Sequence, residues 1–254
     1  MYRVKSETGI SRRHLLATGA AFAATAVSGV VGANHAQAAS DDLVVVELFT
    51  SQGCNSCPPA DALLAKLAQQ DNVLALSFPV DYWDYLGWTD TLAKPAHTKR
   101  QSDYRMSFGL RQIYTPQMVI QGRREGVGSR TRDIEAKIRD VHTKGASTAA
   151  VNITESPDGY DVRVQPKGDF QGTAGVWLVF FDPVHEVAIK AGENKGKTLR
   201  YHNVVRRMMP IGDWNGGAQS FQLPKQAPNG DGEKCAILVQ GKGAGPIFAA
   251  ALMP

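Results

Sequence analysis

Hydrophobic runs and amphipathic segments alternate along residues 41–145 of this 254-residue chain. Residues 43–49 (LVVVELF) and 73–80 (VLALSFPV) are nearly continuous apolar runs, which are typical of buried parallel strands. Between them, residues 60–70 place three leucines on one helical face, and residues 94–108 have a helical composition. The pattern predicts a strand–helix–strand unit followed by a second helix.

A second group of elements completes this half of the chain. Residues 116–121 predict a third strand, residues 125–128 its partner across the turn at Gly122, and residues 131–141 an amphipathic helix. The resulting order is strand, helix, strand, helix, strand, strand, helix, which is the order of the thioredoxin fold. Residues 41–145 are therefore predicted to form an α/β thioredoxin-like domain.

Short strand-like runs replace this pattern after residue 145. They lie between residues 151 and 240 and are separated by turn signals such as PDG at 157–159 and NGG at 215–217. No segment between them has the length and the period of a helix. We expect residues 148–254 to form a second, smaller all-β domain with a sandwich-like architecture.

The first 38 residues have the layout of an export signal peptide. Arg12 and Arg13 precede an uncharged stretch rich in Ala, Gly and Val, which ends in the small-residue pattern AQA at 36–38. The arginine pair followed by two leucines resembles a signal of the twin-arginine type. An uncleaved anchor and a general secretory signal are the alternatives. We expect cleavage after residue 38 or 39 and a mature protein that is periplasmic or secreted.

The charge distribution limits the classes of partner. The formal net charge is +4, but most of the excess lies in residues 1–38, which leaves 24 basic and 23 acidic residues in the rest of the chain. A nearly neutral protein offers no general electrostatic attraction to nucleic acid. No later run approaches the ~20 apolar residues that a membrane-spanning helix needs. We therefore expect no nucleic-acid partner and no membrane contact after signal cleavage.

Cys54 and Cys57 have the CxxC spacing of a redox-active dithiol, between the first predicted strand and the first predicted helix. The start of a helix offers free N–H groups and the positive end of the helix dipole, and both stabilise a thiolate. We predict that Cys54 is the exposed attacking thiol and that Cys57 resolves the mixed disulfide. Asp61, in the first turn of the helix, should oppose the thiolate slightly.

Thr115 and Pro116 open the third predicted strand, where the missing N–H of proline does not interrupt a sheet ladder. In thioredoxin-like proteins the proline at this place is cis and packs beside the CxxC. We therefore predict a cis Thr115–Pro116 bond. The backbone of Thr115 would then pair with the chain of a substrate protein.

Two other readings of the cysteine pair remain open. The first is a structural disulfide in a non-enzymatic binding module, because exported proteins retain such bonds. The second is a copper(I) site for binding or delivery, in which His97, Met106 or Met118 would join the two thiolates. The chain has no second Cys or His pair at zinc-site spacing, and we predict neither a resident metal nor a cofactor. Cys235, the third cysteine, is expected to be a free buried thiol or a redox partner.

Two further segments carry candidate functions. Residues 81–88 (DYWDYLGW) follow the second strand, where they would either line a groove beside Cys54 or pack as a structural loop. Residues 192–208 (GENKGKTLRYHNVVRRM) lack the pattern of a phosphate-binding loop. His202 and Arg206 alternate on one face of that predicted strand, which would be solvated or would face the first domain.

Four stretches, VVELFTSQGCNSCPPAD, VDYWDYLGW, YTPQMVIQG and GENKGKTLRYHNVVR, resemble the DUF1223 family of exported bacterial proteins of unassigned function. The resemblance extends over nearly the whole chain after residue 40. It implies a thioredoxin-like fold with Cys54 and Cys57 at the active-site position, and it implies no particular substrate. Together with the motifs, it predicts thiol–disulfide exchange with the thiols or disulfides of other exported proteins.

Overall fold

The computed structural model describes the backbone of residues 38–39 and the whole of residues 43–168, 170, 172–225 and 232–254. These residues belong to one compact unit, His35–Pro254. The predicted export signal at 1–38 lies outside the described residues, apart from the backbone of Ala38.

The described chain is a mixed α/β structure with one large and one small sheet. The helices are α1 (Pro58–Leu67), α2 (Pro95–Ser107) and α3 (Thr131–Thr143), and a short 3₁₀ helix spans Asp84–Leu86. The strands are β1 (Ala38–Ala39), β2 (Val44–Thr50), β3 (Val73–Pro79), β4 (Gln117–Ile120), β5 (Arg124–Val127), β6 (Ala149–Ser156), β7 (Gly159–Pro166), β8 (Ala174–Ala188), β9 (Thr198–Trp214), β10 (Gln219–Pro224), β11 (Lys234–Gly241) and β12 (Ile247–Leu252).

The first half follows the order that the hydrophobic pattern predicts. Strands β2 and β3 are parallel and buried along their whole length, which explains their continuous apolar sequence. Strand β4 runs antiparallel to β2, and β5 runs antiparallel to β4. Helix α1 connects the two parallel strands, α2 connects β3 to β4, and α3 follows β5, so every element predicted in this half is present.

The second half extends the same sheet. The large sheet has the order β12-β11-β8-β9-β3-β2-β4-β5, and its two halves join where Ser77 of β3 pairs with Val204 of β9. The small sheet has the order β1-β6-β7-β10 and packs its apolar side chains against β8, β11 and β12. The described part of residues 148–254 contains no helix, which agrees with the all-β expectation. The division into two domains stays a prediction from the sequence.

Strand β2 sends alternate side chains to opposite faces of the large sheet, as the pleat requires. Val45 and Phe49 join the core on the α2 side, whereas Val46 and Leu48 join the core that α1 and α3 cover. The loop that follows β2 carries both cysteines of the CxxC. This loop therefore lies at the carboxyl end of a central strand, with a hydrophobic core on each side.

Candidate functional site

The Cys54–Cys57 pair forms a disulfide between the end of β2 and the start of α1. Cys57 occupies the N-cap position of α1, and its carbonyl accepts hydrogen bonds from the N–H groups of Ala60 (2.8 Å) and Asp61 (3.1 Å). Two prolines follow directly in the first turn, where a missing N–H costs no intrahelical bond. The helix-start position predicted for the pair is confirmed.

Both cysteines are buried, so the expectation of an exposed Cys54 is wrong for this conformation. Cys54 is 1% exposed and Cys57 is 0% exposed. The Sγ atom of Cys54 lies 3.3 Å from the Ser56 hydroxyl, which is its one side-chain hydrogen-bonding contact in the described part of the chain. An attacking thiol can reach this disulfide only if the residues above it move.

Residues 189–197 connect β8 to β9 and cover the disulfide loop; we call this segment the cover loop. Asn194, which is 0% exposed, donates hydrogen bonds from its amide nitrogen to the carbonyls of Gln52 (2.9 Å) and Cys54 (3.0 Å). Lys197 donates to the Asn194 side-chain oxygen (2.9 Å) and so fixes the orientation of the amide. The neighbouring Glu193 carboxylate accepts a hydrogen bond from the Asn55 N–H (3.2 Å).

The cover loop belongs to a stretch that carries the family resemblance, but its sequence gives no sign of contact with the cysteines. Asn194 is separated from Cys54 by 140 positions, and no local pattern shows that a hairpin loop from the second half returns to this place. Gly192 has a φ of +73°, and a Cβ there would lie 3.2 Å from the Trp88 Cβ. The glycine therefore allows a tight turn close to the aromatic segment.

The aromatic segment, residues 81–88, also packs against the disulfide loop. The Trp88 indole donates to the side-chain oxygen of Gln52 (2.8 Å), and Asp90 accepts the Gln52 N–H (2.7 Å). A Cβ added at Gly53 would lie 3.2 Å from the Trp83 Cβ, so this position has little room for a side chain. The segment thus contacts the loop of Cys54, as both sequence alternatives allowed.

Thr115 and Pro116 are joined by a cis peptide bond, as predicted. The Trp83 indole donates to the Thr115 hydroxyl (2.7 Å), and the Gly128 N–H donates to the Pro116 carbonyl (2.9 Å). Trp83 therefore connects this bond with the residue before Cys54. The substrate-pairing role of Thr115 and Pro116 stays a prediction.

Asp61 lies one helical turn below Cys57 and is 7% exposed, and neither of its carboxyl oxygens has a hydrogen-bond partner. Burial raises its pKa to about 8; of the two smaller effects, the Thr50 hydroxyl lowers the pKa and the negative charge of Asp90 raises it. The carboxyl is therefore mainly protonated at pH 7. The expected repulsion between an Asp61 charge and a thiolate is wrong, because the charge is absent at this pH.

The hydroxyl groups of Thr50, Ser77 and Tyr201 also lack hydrogen-bond partners in the described structure, and all three side chains are buried. Burial raises the pKa of Tyr201 well above the range of an ordinary phenol, and at the alkaline pH where a phenol ionises the charges of Asp61 and Asp90 raise it further. His202, the next residue of β9, lines a cavity of about 240 Å³ together with Asp61. The α1 face of the sheet thus contains several buried polar groups that have no hydrogen-bond partner in the described structure.

The other sequence candidates lie in separate surroundings. His97 is buried, with Nδ1 2.8 Å from the Pro79 carbonyl, Met118 is part of the core under α1 and α3, and Met106 is exposed. The described residues include no group of three or more His, Cys, Asp or Glu side chains placed to hold a metal ion. Cys235 is a free, half-buried thiol whose pKa burial raises to about 11, so it is protonated at neutral pH.

One family model and one solved structure match most of this chain. Residues 45–240 match the sequence model of a family described as "Protein of unknown function (DUF1223)". The crystal structure of a structural-genomics target from Agrobacterium tumefaciens is similar, with 31% identity, a TM-score of 0.70, and coverage of 84% of this chain and 95% of that chain.

Two more distant likenesses are informative. The structure of HBP35 of Porphyromonas gingivalis superposes with a TM-score of 0.54 at 15% identity, over 84% of this chain and 75% of that one, which is a likeness of fold. A protein of Archaeoglobus fulgidus named "Probable Thioredoxin" is 41% identical over 39 residues. That match spans 15% of this chain and 43% of the relative.

None of the helices in the described part of the chain combines the length and the hydrophobicity that a membrane-spanning segment requires.

Proposed function

This chain belongs to the DUF1223 family, and we propose that it is a thioredoxin-like protein that exchanges disulfides with thiols of other exported proteins. The observation that carries the proposal is the Cys54–Cys57 disulfide at the N-cap of α1, directly after a central parallel strand. A thiolate formed there is stabilised by the helix start. The partial match to a protein named "Probable Thioredoxin" supports the same chemistry.

The exchange has two steps. The Cys54 thiolate of the reduced protein attacks a disulfide sulfur of the partner, forms a mixed disulfide and releases one partner thiolate. Cys57 then attacks Cys54, which re-forms the internal disulfide and releases the second partner thiol. Thr115 and Pro116 would orient the incoming chain. In the opposite direction, a partner thiolate attacks the Cys54 sulfur and displaces the Cys57 thiolate.

The cover loop makes this exchange conditional on a movement. Both cysteines are buried under Asn194 and Glu193, so a partner must displace the loop or wait for it to open. Three hydrogen bonds of the described structure join the cover loop to the disulfide loop, and we propose that a partner chain replaces them as it binds. Location in the periplasm, reached by the twin-arginine signal at 1–38, is part of the proposal because disulfides persist there.

A structural disulfide is the second candidate, because complete burial of both cysteines favours it. In that case the bond closes the loop before α1 and the protein acts as a binding module. The two candidates differ in reduction potential, because structural disulfides resist the glutathione pool whereas exchange enzymes react with it.

The first experiment is equilibration of the native protein with glutathione buffers, with Cys235→Ser as background so that two thiols are counted. Exchange predicts a reduction potential between about −120 and −270 mV, and a value below about −300 mV would leave the structural disulfide. Turnover with insulin as a model disulfide substrate completes the test. Cys54→Ser should abolish turnover, whereas Cys235→Ser, the matched control, should retain it within twofold.

A further inference from the structure

One cavity of the described structure lies away from the disulfide, between α2, β9 and the turn from β11 to β12. Its volume is about 470 Å³, which is within the range of pockets that enclose small molecules. The apolar part of its wall is formed by Phe78, Trp177, Val205, Met208 and Ala244. No residue of the disulfide loop or of the cover loop lines it. The cavity is therefore separate from the candidate disulfide site.

Basic side chains dominate the polar part of the wall, and five of the six have an acidic partner. The pairs are Lys99–Asp103, Arg100–Glu47, Arg206–Asp182, Arg207–Glu233 and Lys242–Asp213. Lys94 is the sixth, and within the described chain its ammonium group donates to the Arg206 carbonyl (2.5 Å) and to no carboxylate. By count, one basic side chain of the wall thus has no ion-pair partner of its own in the described structure. Burial and the charges of Arg206 and Arg207 lower the pKa of Lys94, whereas the charges of Asp182 and Glu233 raise it.

The beginning of α2 adds to the positive potential at this position. Lys94 is the N-cap residue of the 13-residue helix, and its side chain makes no capping hydrogen bond. Pro95 has no N–H, and the His97 N–H donates to the Lys94 carbonyl (2.9 Å), so the Ala96 N–H is the one left without an acceptor in this turn of the described structure. The first turn contains no acidic residue that would neutralise the helix dipole. Burial lowers the pKa of His97 to about 4, and the positive charges of Lys94, Arg100 and Arg206 lower it further. His97 is therefore a neutral part of the wall.

We propose that this cavity binds a small anionic molecule with an aromatic or aliphatic body. The anionic group would meet the Lys94 ammonium group and the start of α2, where a negative charge is favourable. The apolar body would pack against Trp177 and Met208. A ligand of this class satisfies both parts of the wall, whereas a neutral apolar ligand leaves Lys94 uncompensated and an inorganic anion leaves the apolar wall hydrated.

The test uses two fluorescent probes that share one aromatic body. Anilinonaphthalene sulfonate is anionic and N-phenyl-1-naphthylamine is its neutral counterpart, and both are titrated into the full chain. The proposal predicts one saturable sulfonate site with at least tenfold tighter binding than that of the neutral probe. Lys94→Met should raise the Kd of the sulfonate at least tenfold and change that of the neutral probe less than twofold. Lys66→Met, an exposed lysine of α1 outside the cavity, is the matched control.

A second pair of variants locates the probe. Ala96 is an exposed residue of α2 at the cavity wall, and Ala96→Trp should fill the entrance and abolish sulfonate binding. Ala136→Trp, at an exposed position of α3, should leave binding unchanged, and thermal melts of all variants show whether they fold. The proposal is overturned if the neutral probe binds as tightly as the sulfonate, or if folded Lys94→Met or Ala96→Trp binds the sulfonate like the parent chain.

Discussion

Glu47 and Asp61 are both buried, on opposite faces of the large sheet, and of the two only Glu47 has hydrogen-bond partners in the described structure. The Glu47 carboxylate on the α2 face accepts bonds from the Arg100 guanidinium (2.8 Å to Nε) and from the Tyr104 hydroxyl. Arg100 also donates to Gln240 of β11 (2.9 Å), so this network joins the two halves of the sheet. On the α1 face, the Asp61 carboxyl is without a partner.

The difference indicates two uses of a buried acid. A buried charge that is paired and hydrogen-bonded holds its neighbouring elements together, and removal of one partner strongly lowers the free energy of unfolding. A buried carboxyl without partners lowers stability, and such groups accumulate where a protein gives up stability for function. The α1 face is also the face that lies next to Cys57. The paired Glu47 network and the unpaired Asp61, which lies beside the candidate reactive site, are thus on opposite faces of the large sheet.

The largest effect is expected on the α2 face. Arg100→Met leaves the Glu47 carboxylate buried without its cation and should lower the free energy of unfolding by about 3–5 kcal/mol. The control is Lys99→Met, at the neighbouring position, which removes an exposed ion pair with Asp103. It should change the free energy of unfolding by less than about 1 kcal/mol. Urea denaturation at pH 7 measures both. Equal effects of the two variants would show that the buried network carries no special weight.

The opposite sign is expected for Asp61→Asn on the α1 face. The folded-state pKa of Asp61 is about 8 and the unfolded value is about 3.9, so the folded state retains a proton that the unfolded state loses. Stability contributed by this group is complete below pH 4 and is lost as the pH rises towards 8. Asp61→Asn should therefore raise the free energy of unfolding by about 2–4 kcal/mol at pH 8 relative to the parent.

The same variant should show little gain at pH 4, where the folded parent retains its proton and the unfolded parent is only about half ionised. Unfolding at pH 4, 6 and 8 traces the effect, with Asp71→Asn, at an exposed position, as the control. A gain that does not grow between pH 4 and pH 8 would contradict a buried protonated carboxyl and would weaken the contrast with Glu47.

The smallest effect concerns the cover loop. Asn194→Ala removes two hydrogen bonds to the disulfide loop and leaves two carbonyls unpaired, a loss of about 1–2 kcal/mol in the closed state. Alkylation of the reduced protein at Cys54 should therefore become about tenfold faster. Asn215→Ala, in an exposed turn, should leave the rate unchanged. Mass spectrometry of the alkylated peptide against time measures both, and an unchanged rate for Asn194→Ala would mean that the cover does not control access.

The sequence predicts well what depends on neighbouring residues. The apolar runs at β2 and β3 define buried parallel strands, and the Thr-Pro pair before β4 predicts the cis bond. It fails where distant segments meet. The sequence predicts an exposed Cys54, because the CxxC pattern contains no information about the contact with Asn194. It predicts a charged Asp61, because the local sequence does not show that β9 packs against α1 and lies beside this carboxyl. The single pairing of Ser77 with Val204 likewise has no local signal.

The cover loop also imposes an order of events on biogenesis. The ribosome completes the CxxC long before it reaches Asn194, so a nascent chain has its thiols without their cover. A chain threaded unfolded through a translocon meets the oxidants outside the cell membrane in that open condition. A chain that folds in the cytoplasm, as the twin-arginine route requires, arrives with the thiols already enclosed. If the protein is exported and exchanges disulfides, as proposed above, the export route would determine whether oxidation precedes or follows closure, and whether the loop must open before the first turnover.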